Sequence, residues 1–293
     1  MNTDSLQRLL LEQANSRCVV VRLDEVYREI LERGRYPDPV AKLLGETLAI
    51  VALCSSGIKL SGRISLQLRS SSGLRLLMAD CTDDGGLRGL ARFDAEAILA
   101  APGFRELTEG GLLTMTVEPS GQGSSWQGIV PLEGASMSAA IARYFDQSEQ
   151  LPTLVKLAVT DQQVVGVLLQ RMPGEAPDTD GWNRVRRLFE TLSADELLNV
   201  DSETLLHRLF HDETRRLFEP RPLVFHCPCS RERVESVLRG LGADELDSIV
   251  EAQGAVDVSC EFCNEQYRFD RLDVGRLLHS DLPEDADGSS TLH

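Results

Sequence analysis

From Val40 to Ile58 apolar side chains recur every three or four residues (Leu43, Leu44, Leu48, Val51, Ala52), a period that predicts a long core helix. The pattern changes at Gly62. Residues 62–69 alternate apolar and polar side chains, the mark of a half-buried strand, and 73–80, 86–93, 112–118 and 125–131 read likewise. Asp83-Asp84-Gly85-Gly86 and Ser120-Gly121-Gln122-Gly123 supply turn chemistry between them, so residues 62–132 are expected to form an antiparallel sheet. Helix returns over 136–146, with Ser136 or Ser138 as cap. Residues 154–160 and 164–171 form a last strand pair, hinged at Asp161-Gln162. Near the start, 5–11 and 24–33 read as short helices, with a strand from Cys18 to Arg22 between them.

Pro173-Gly174 to Gly181 breaks the pattern and predicts a boundary. Beyond it, Trp182, Val185, Leu188, Phe189 and Leu192 sit at helical spacing, as do Leu205, Leu206, Leu209 and Phe210, with a break at Asn199-Val200-Asp201. Residues 176–221 hold 17 charges, too apolar a mixture for a flexible linker and too short a stretch for a core of its own. The apolar stripe therefore needs a cover, and the N-terminal sheet is the expected one. The chain is expected to divide into 1–175, a helical linker over 176–222, a compact unit over 223–281 and a polar, disordered tail over 282–293.

Charge sharpens this division. The net charge is −16, and residues 175–293 account for −13 of it. Of 30 basic residues 27 are Arg. An acidic surface repels phosphate backbones, so nucleic acid is not an expected partner. The longest apolar run, Leu48 to Cys54, is far short of the ~18 residues a membrane helix needs, and no leader pattern opens the chain. Membrane binding is therefore not expected, and the expected location is cytoplasmic.

Seven cysteines carry the chemistry. Cys18, Cys54 and Cys81 are scattered among apolar neighbours and read as buried small hydrophobes. The other four form two close pairs, Cys227-Pro228-Cys229 and Cys260-Glu261-Phe262-Cys263, with 30 residues between the pairs. Four thiolates in two short-range pairs suit tetrahedral Zn²⁺, one per chain. His226 reads as a bystander rather than a substitute ligand. A 59-residue unit gathers only ~3–5 kcal/mol from its core, whereas a structural zinc contributes ~10–16 kcal/mol. The unit should fold with metal and loosen without it. Spacing alone leaves open whether such a zinc is constitutive or gives way to oxidation.

The residues resemble the 33-kilodalton heat-shock protein family of redox-regulated holdase chaperones. The resemblance rests on Cys227-Pro-Cys229-Ser-Arg-Glu-Arg233, Leu246-Asp-Ser-Ile249 and Cys260-Glu-Phe-Cys263-Asn with Tyr267 and Phe269. It also rests on Gln127-Gly-Ile-Val130, Leu132-Glu-Gly134, Tyr144-Phe145 and Ser148 to Thr153. It implies an α+β fold: an N-terminal antiparallel-sheet domain with packed helices, a helical linker and a small C-terminal zinc domain. It implies zinc on Cys227, Cys229, Cys260 and Cys263 when reduced. When oxidised, it implies disulfides Cys227–Cys229 and Cys260–Cys263, a homodimer, and ATP-independent binding of unfolded or partly folded client proteins under oxidative stress. Disulfides so placed would close only short loops and abolish the tie between positions 227 and 263, so oxidation should unfold rather than staple.

Two other readings compete. A zinc-ribbon module for nucleic acid would have to use Arg231 and Arg233 against the surrounding acidity. A thiol oxidoreductase would need Cys260-Glu-Phe-Cys263 at a helix start after a βαβ strand, whereas it follows Val256-Asp-Val258. No Ser/His/Asp or paired-carboxylate arrangement is present, so no enzyme is expected. His207 and His211, one turn apart, read as a solvated helix face, and Arg184, Arg186, Arg187, Arg215 and Arg216 as partners for nearby acids.

Overall fold

The computed structural model describes residues 4–57, 61–100, 103–121 and 123–279. The chain divides into two compact units, 1–227 and 228–293. The expected tail over 282–293 lies outside the described residues.

In the first unit, strands β1 (Ser5–Leu11) and β2 (Ser16–Leu23) form a hairpin, followed by helices α1 (Glu25–Gly34) and α2 (Asp38–Ser55). Strands β3 (Gly62–Arg69), β4 (Leu74–Thr82) and β5 (Gly86–Phe93) form a meander. The short helices α3 (Ala95–Ala100) and α4 (Phe104–Thr108) lead to β6 (Leu112–Pro119) and β7 (Trp126–Pro131). Helix α5 (Met137–Tyr144) starts on the Ser136 cap, whose hydroxyl accepts from the Ala139 N–H at 3.3 Å. Strands β8 (Thr153–Val159) and β9 (Val164–Arg171) then pair across the turn at Asp161. Helices α6 (Gly181–Glu190), α7 (Ala194–Asn199) and α8 (Ser202–Leu209) precede three short strands: β10 (Arg215–Leu217), β11 (Arg221–Pro222) and β12 (Val224–Phe225).

Two sheets result. The first has the order β10-β1-β2-β9-β8, with β11 also paired to β1; the second has the order β12-β5-β4-β3-β6-β7. Helix α2 packs on strands of both. Fourteen of its eighteen residues are buried, which is why its apolar pattern is not confined to one stripe. The first sheet is buried on both faces. Val19 and Val21 of β2 join the core around α2, while Cys18 and Val20 point the other way, into a second core.

Residues 5–11 form a strand, not the helix their spacing suggested. Leu6, Leu9 and Leu10 recur at i, i+3, i+4 and mimic a helix. Because both faces of β1 are covered, Leu6 enters one core while Leu9 and Leu11 enter the other. The start expected for the last unit, residue 223, also shifts. Leu223 is fully buried in the main core and β12 pairs with β5, so the first unit extends to Cys227.

The second core is the cover that the apolar stripe required. Val185, Phe189 and Leu192, with Leu205, Leu206 and Phe210, lie on Leu9, Leu11, Val20, Val167 and Leu169. Trp182 and Leu188 are partly buried at its margin. Helices α7 and α8 carry their own start signals: a Ser193/Glu196 capping box, and Asp201 accepting from the Thr204 N–H at 2.9 Å. The C-terminal ends of α6 and α7 are closed by cations of the sheet. Lys156 on β8 donates to the carbonyls of Glu190 (2.7 Å) and Leu192. Arg22 on β2 donates to those of Leu197 (2.8 Å) and Val200 and to the Ser202 hydroxyl. Burial lowers the pKa of both cations, the cost of placing them under helix ends. Arg184, Arg186 and Arg216 pair with acids. Arg184 bridges Asp178 and the buried Glu213 at 2.8 and 2.6 Å, and Arg186 meets Glu190. Arg215 donates to the Phe210 and His211 carbonyls, and Arg216 meets Glu12.

The second unit contains α9 (Arg231–Arg239), α10 (Ala243–Gln253), a hairpin of β13 (Ala255–Ser259) and β14 (Gln266–Asp270), and α11 (Arg271–His279). Its core is small: Leu238, Leu246, Val250, Val256, Phe269, Val274 and Leu277. Arg231 helps close it, stacking 4.2 Å over the Phe269 ring and pairing with Asp273 at 2.8 Å. Arg233 donates to the Pro228 carbonyl at 2.6 Å. Both arginines thus make contacts within the second unit.

Candidate metal centre

Cys260 and Cys263 sit in the turn of the β13–β14 hairpin. The ladder ends at Ser259↔Gln266, after which the Cys260 N–H donates to the Glu265 carbonyl at 2.9 Å. The Asn264 N–H returns to the Cys260 carbonyl at 2.7 Å, with Asn264 in the left-handed region at φ 60°. This tight loop turns both thiols to one side. Cys227 follows β12, whose extension is fixed by the His226 N–H donating to the Leu87 carbonyl at 2.9 Å. Cys229 directly precedes the Ser230 cap of α9.

The four sulfurs of Cys227, Cys229, Cys260 and Cys263 all lie within 4.8 Å of one another, and all four residues are half-buried. A Zn–S length of ~2.3 Å gives a tetrahedral edge of about 3.8 Å, so the donor set closes on a metal with small movements. Soft thiolates favour Zn²⁺, Cu(I) or iron–sulfur chemistry over hard cations. Among the described residues this is the one cluster of metal-ligating side chains. His226 stands outside it. His207 and His211 form no such cluster, and His211 instead meets Asp212 and the Arg208 carbonyl.

Two neighbours were not assigned by sequence reasoning. The Tyr267 hydroxyl donates to the Cys229 sulfur at 3.2 Å, an interaction that pushes the phenol pKa upward. Its place on β14, four residues past Cys263, was visible only as part of the family motif. Arg88 on β5 approaches the Cys227 sulfur at 3.9 Å and is held by the buried Asp80 at 2.6 Å. No local signal in the sequence links Arg88 to Cys227, because β12 reaches β5 only through the tertiary fold. The three remaining cysteines lie outside the cluster and are buried: burial pushes the thiols of Cys54 and Cys81 up to about 12 and 11, and that of Cys18 higher still.

Known proteins match this architecture. The sequence profile of the family described as "Hsp33 protein" matches residues 4–270. A 33 kDa chaperonin of Pseudomonas paraeruginosa (strain DSM 24068 / PA7) is 45% identical, covering 94% of this chain and 95% of its own. One from Pseudomonas syringae pv. syringae (strain B728a) is 39% identical, with 94% of each chain covered. The crystal structure of the 33 kDa chaperonin (heat shock protein 33 homolog) of Thermotoga maritima shares the fold, with a TM-score of 0.79 at 20% identity over 94% of this chain and 98% of that one. Among the described residues no helix is long and apolar enough to cross a membrane. With the profile spanning both units and the four-cysteine cluster, the chain belongs to the Hsp33 family of chaperones.

Proposed function

We propose that this chain is a redox-regulated, ATP-independent holdase: inactive with zinc bound to Cys227, Cys229, Cys260 and Cys263, and active once those cysteines are oxidised. The observation that carries the reading is the convergence of four sulfurs within 4.8 Å at the head of a unit with a seven-residue core. When bound, the metal supplies cross-linking and holds the thiols deprotonated.

The chain's own residues perform the switch. A thiolate attacks one oxygen of hydrogen peroxide, breaking the O–O bond; it becomes a sulfenic acid, and the hydroxide released takes a proton from solvent to become water. The neighbouring thiolate displaces the sulfenic hydroxyl as hydroxide, which is protonated to a second water, so two sulfurs give up two electrons for each disulfide. A sulfur separation of 3.3 Å joins Cys229 to Cys263 and so crosses the two pairs. Cys227–Cys229 and Cys260–Cys263 are nevertheless the proposed products. Once the small unit loosens, residues two or three positions apart keep a high effective concentration, whereas residues 34 apart do not.

Losing ~10–16 kcal/mol of metal-coupled folding exceeds the ~5.5 kcal/mol needed to reverse a two-state balance almost completely. The balance proposed to reverse is the docking of α6–α8 on the first sheet. Undocking bares Phe189, Val185 and Leu192 together with the sheet face beneath them, and clients bind there while surrounding acids keep the complex soluble. The oxidised protein is proposed to act as a homodimer in the cytoplasm.

The test is suppression of citrate synthase aggregation by reduced and by peroxide-treated protein, with released zinc followed by a chromogenic chelator. Activity confined to the oxidised, zinc-free form is expected. Equal activity in both forms, or oxidation with zinc retained, overturns the reading.

A further inference from the structure

Residues 214–227 run along the edges of both sheets. Strand β10 covers Leu9–Leu11 and β11 covers Ser5 and Leu6. Between them the Phe218 N–H donates to the Arg8 carbonyl at 3.0 Å, and at the far end the Glu12 N–H donates to the Thr214 carbonyl at 3.0 Å. The outer edge of β1 is thereby closed over its whole length. The segment then buries Leu223, whose N–H donates to the Asp4 carbonyl at 3.1 Å, and crosses to β5. There the Val224 N–H meets the Gly85 carbonyl at 3.1 Å. Gly85, at φ +96°, marks the crossing: a Cβ there would lie 2.4 Å from the Pro222 carbonyl. Side chains fasten the path. Arg216 meets Glu12, Arg8 stacks on Phe218, Arg33 stacks on Phe225, and Arg221 reaches Ser55 Oγ and the Asp83 carbonyl at 2.7 and 2.6 Å.

The two strand edges differ in kind. The covering segment pairs in runs of two or three residues and carries Pro220, Pro222, Arg215, Arg216 and Arg221. Such an edge resists further pairing. β1 is seven residues without Gly or Pro, with leucines entering both cores. Uncovered, it presents the main-chain groups of Arg8, Leu10 and Glu12 in a row, a template for another strand.

We propose that residues 214–227 occupy, within the chain, the place of a client, and that their release makes the edge of β1 a strand-addition site for extended, unfolded polypeptide. The proposal rests on the redox-holdase reading. Cys227 ends the segment, so when its sulfur is no longer held with the other three, the segment peels from β12 back toward β10. The partner is a segment that has lost its own strand neighbour: extended, alternating apolar and polar, without proline at donor positions. Main-chain hydrogen bonds supply affinity for it irrespective of side-chain sequence.

The probe is a fluorescein-labelled ten-residue peptide of alternating valine and threonine with a lysine at each end. Its control is N-methylated at two adjacent central residues, which removes a donor from each edge. Oxidised full-length protein should bind the probe at least tenfold more tightly than reduced, zinc-loaded protein, and the control at least tenfold more weakly than the probe. The amides of Arg8, Leu10 and Glu12 should exchange at least a hundredfold faster on oxidation and regain protection when the probe binds. An Arg216→Ala/Arg221→Ala/Val224→Pro variant, which keeps every cysteine, should bind the probe while reduced and zinc-loaded. Equal binding of probe and control overturns the proposal, as do β1 amides that stay protected in oxidised protein that suppresses aggregation. If the triple variant does not fold, the wild-type exchange and the peptide pair decide. Failure of the underlying reading is distinct, because oxidised wild-type protein would then not suppress citrate synthase aggregation at all.

Discussion

Phe189→Ala should switch the protein on without an oxidant. Phe189 is 1% exposed and sits between Val185 and Leu192 on the outer face of the first sheet. Truncating a buried phenylalanine costs ~3–5 kcal/mol. Helix α6 has ten residues, below the ~12–15 at which an isolated helix holds in water, so packing rather than propensity keeps it in place. The loss therefore falls on the local opening of α6–α8 more than on global stability. At 1.4 kcal/mol per tenfold, the opened population should rise by roughly two to three and a half orders of magnitude. Hydrogen exchange of residues 181–210, measured on reduced protein with its zinc content verified, reads this directly. Citrate synthase aggregation on the same sample reads the consequence. Exchange raised by less than tenfold in a folded variant would show that Phe189 does not hold the segment down. Exchange raised as expected with no gain in aggregation suppression would show that the docked segment is not the gate.

Three further outcomes are expected. Cys263→Ser should lower zinc retention and loosen residues 228–279 while leaving residues 4–172 protected; near-stoichiometric zinc in a Cys227→Ser/Cys260→Ser double variant would refute the ligand set. Peptide mapping of peroxide-treated protein should find Cys227 joined to Cys229 and Cys260 to Cys263, and a majority of Cys229–Cys263 bridges would show that sulfur proximity alone selects the product. Burial holds the Glu46 carboxyl up to about 7, above its unfolded value, so the native state binds the extra proton and stability falls as pH rises from about 4.5 through 7. Glu46→Gln should flatten that fall and gain on the order of 3 kcal/mol above pH 7, read as thermal midpoints across pH; a fall of unchanged slope would remove Glu46 as its cause.

The legible parts of the sequence were those whose environment is one-sided. β3, β6 and β7 face one core, and their alternation marked them. The four cysteines announced a metal because a closed donor set is local in sequence, two residues in each of two turns. The stripe on α6 showed that a cover was needed, and the sheet provides it. What misled was two-sided burial. β1 sends Leu6 into the core around α2 and Leu9 and Leu11 into the core shared with α6–α8, so its leucines fell at helical intervals. β10, β11 and β12 were illegible for a different reason: strands of two or three residues carry no period, and their pairing is imposed by β1 and β5. Arg22 and Lys156 gave no signal as helix caps, because the carbonyls they close belong to helices that follow them by more than thirty residues.

The position of Cys227 gives the metal leverage over that irregular segment. Each main-chain hydrogen bond along residues 214–227 contributes ~0.5–1.5 kcal/mol net, and its exposed ion pairs, such as Arg216 with Glu12, contribute ~0–1 kcal/mol. These increments lie in series and are individually weak, so the segment can open progressively from whichever end is freed. Leu223 is the exception, a fully buried side chain worth ~1.5–3 kcal/mol, and it lies four residues from the cysteine. A ligand bond placed at Cys227 therefore restrains the one end from which opening must first extract Leu223. The same bond placed before β10 would leave that end to fray whether or not metal was bound. Moving the first cysteine pair away from β12 by a flexible insertion after His226 should separate the two events: zinc would still bind, but its loss would no longer raise hydrogen exchange at Val224 and His226.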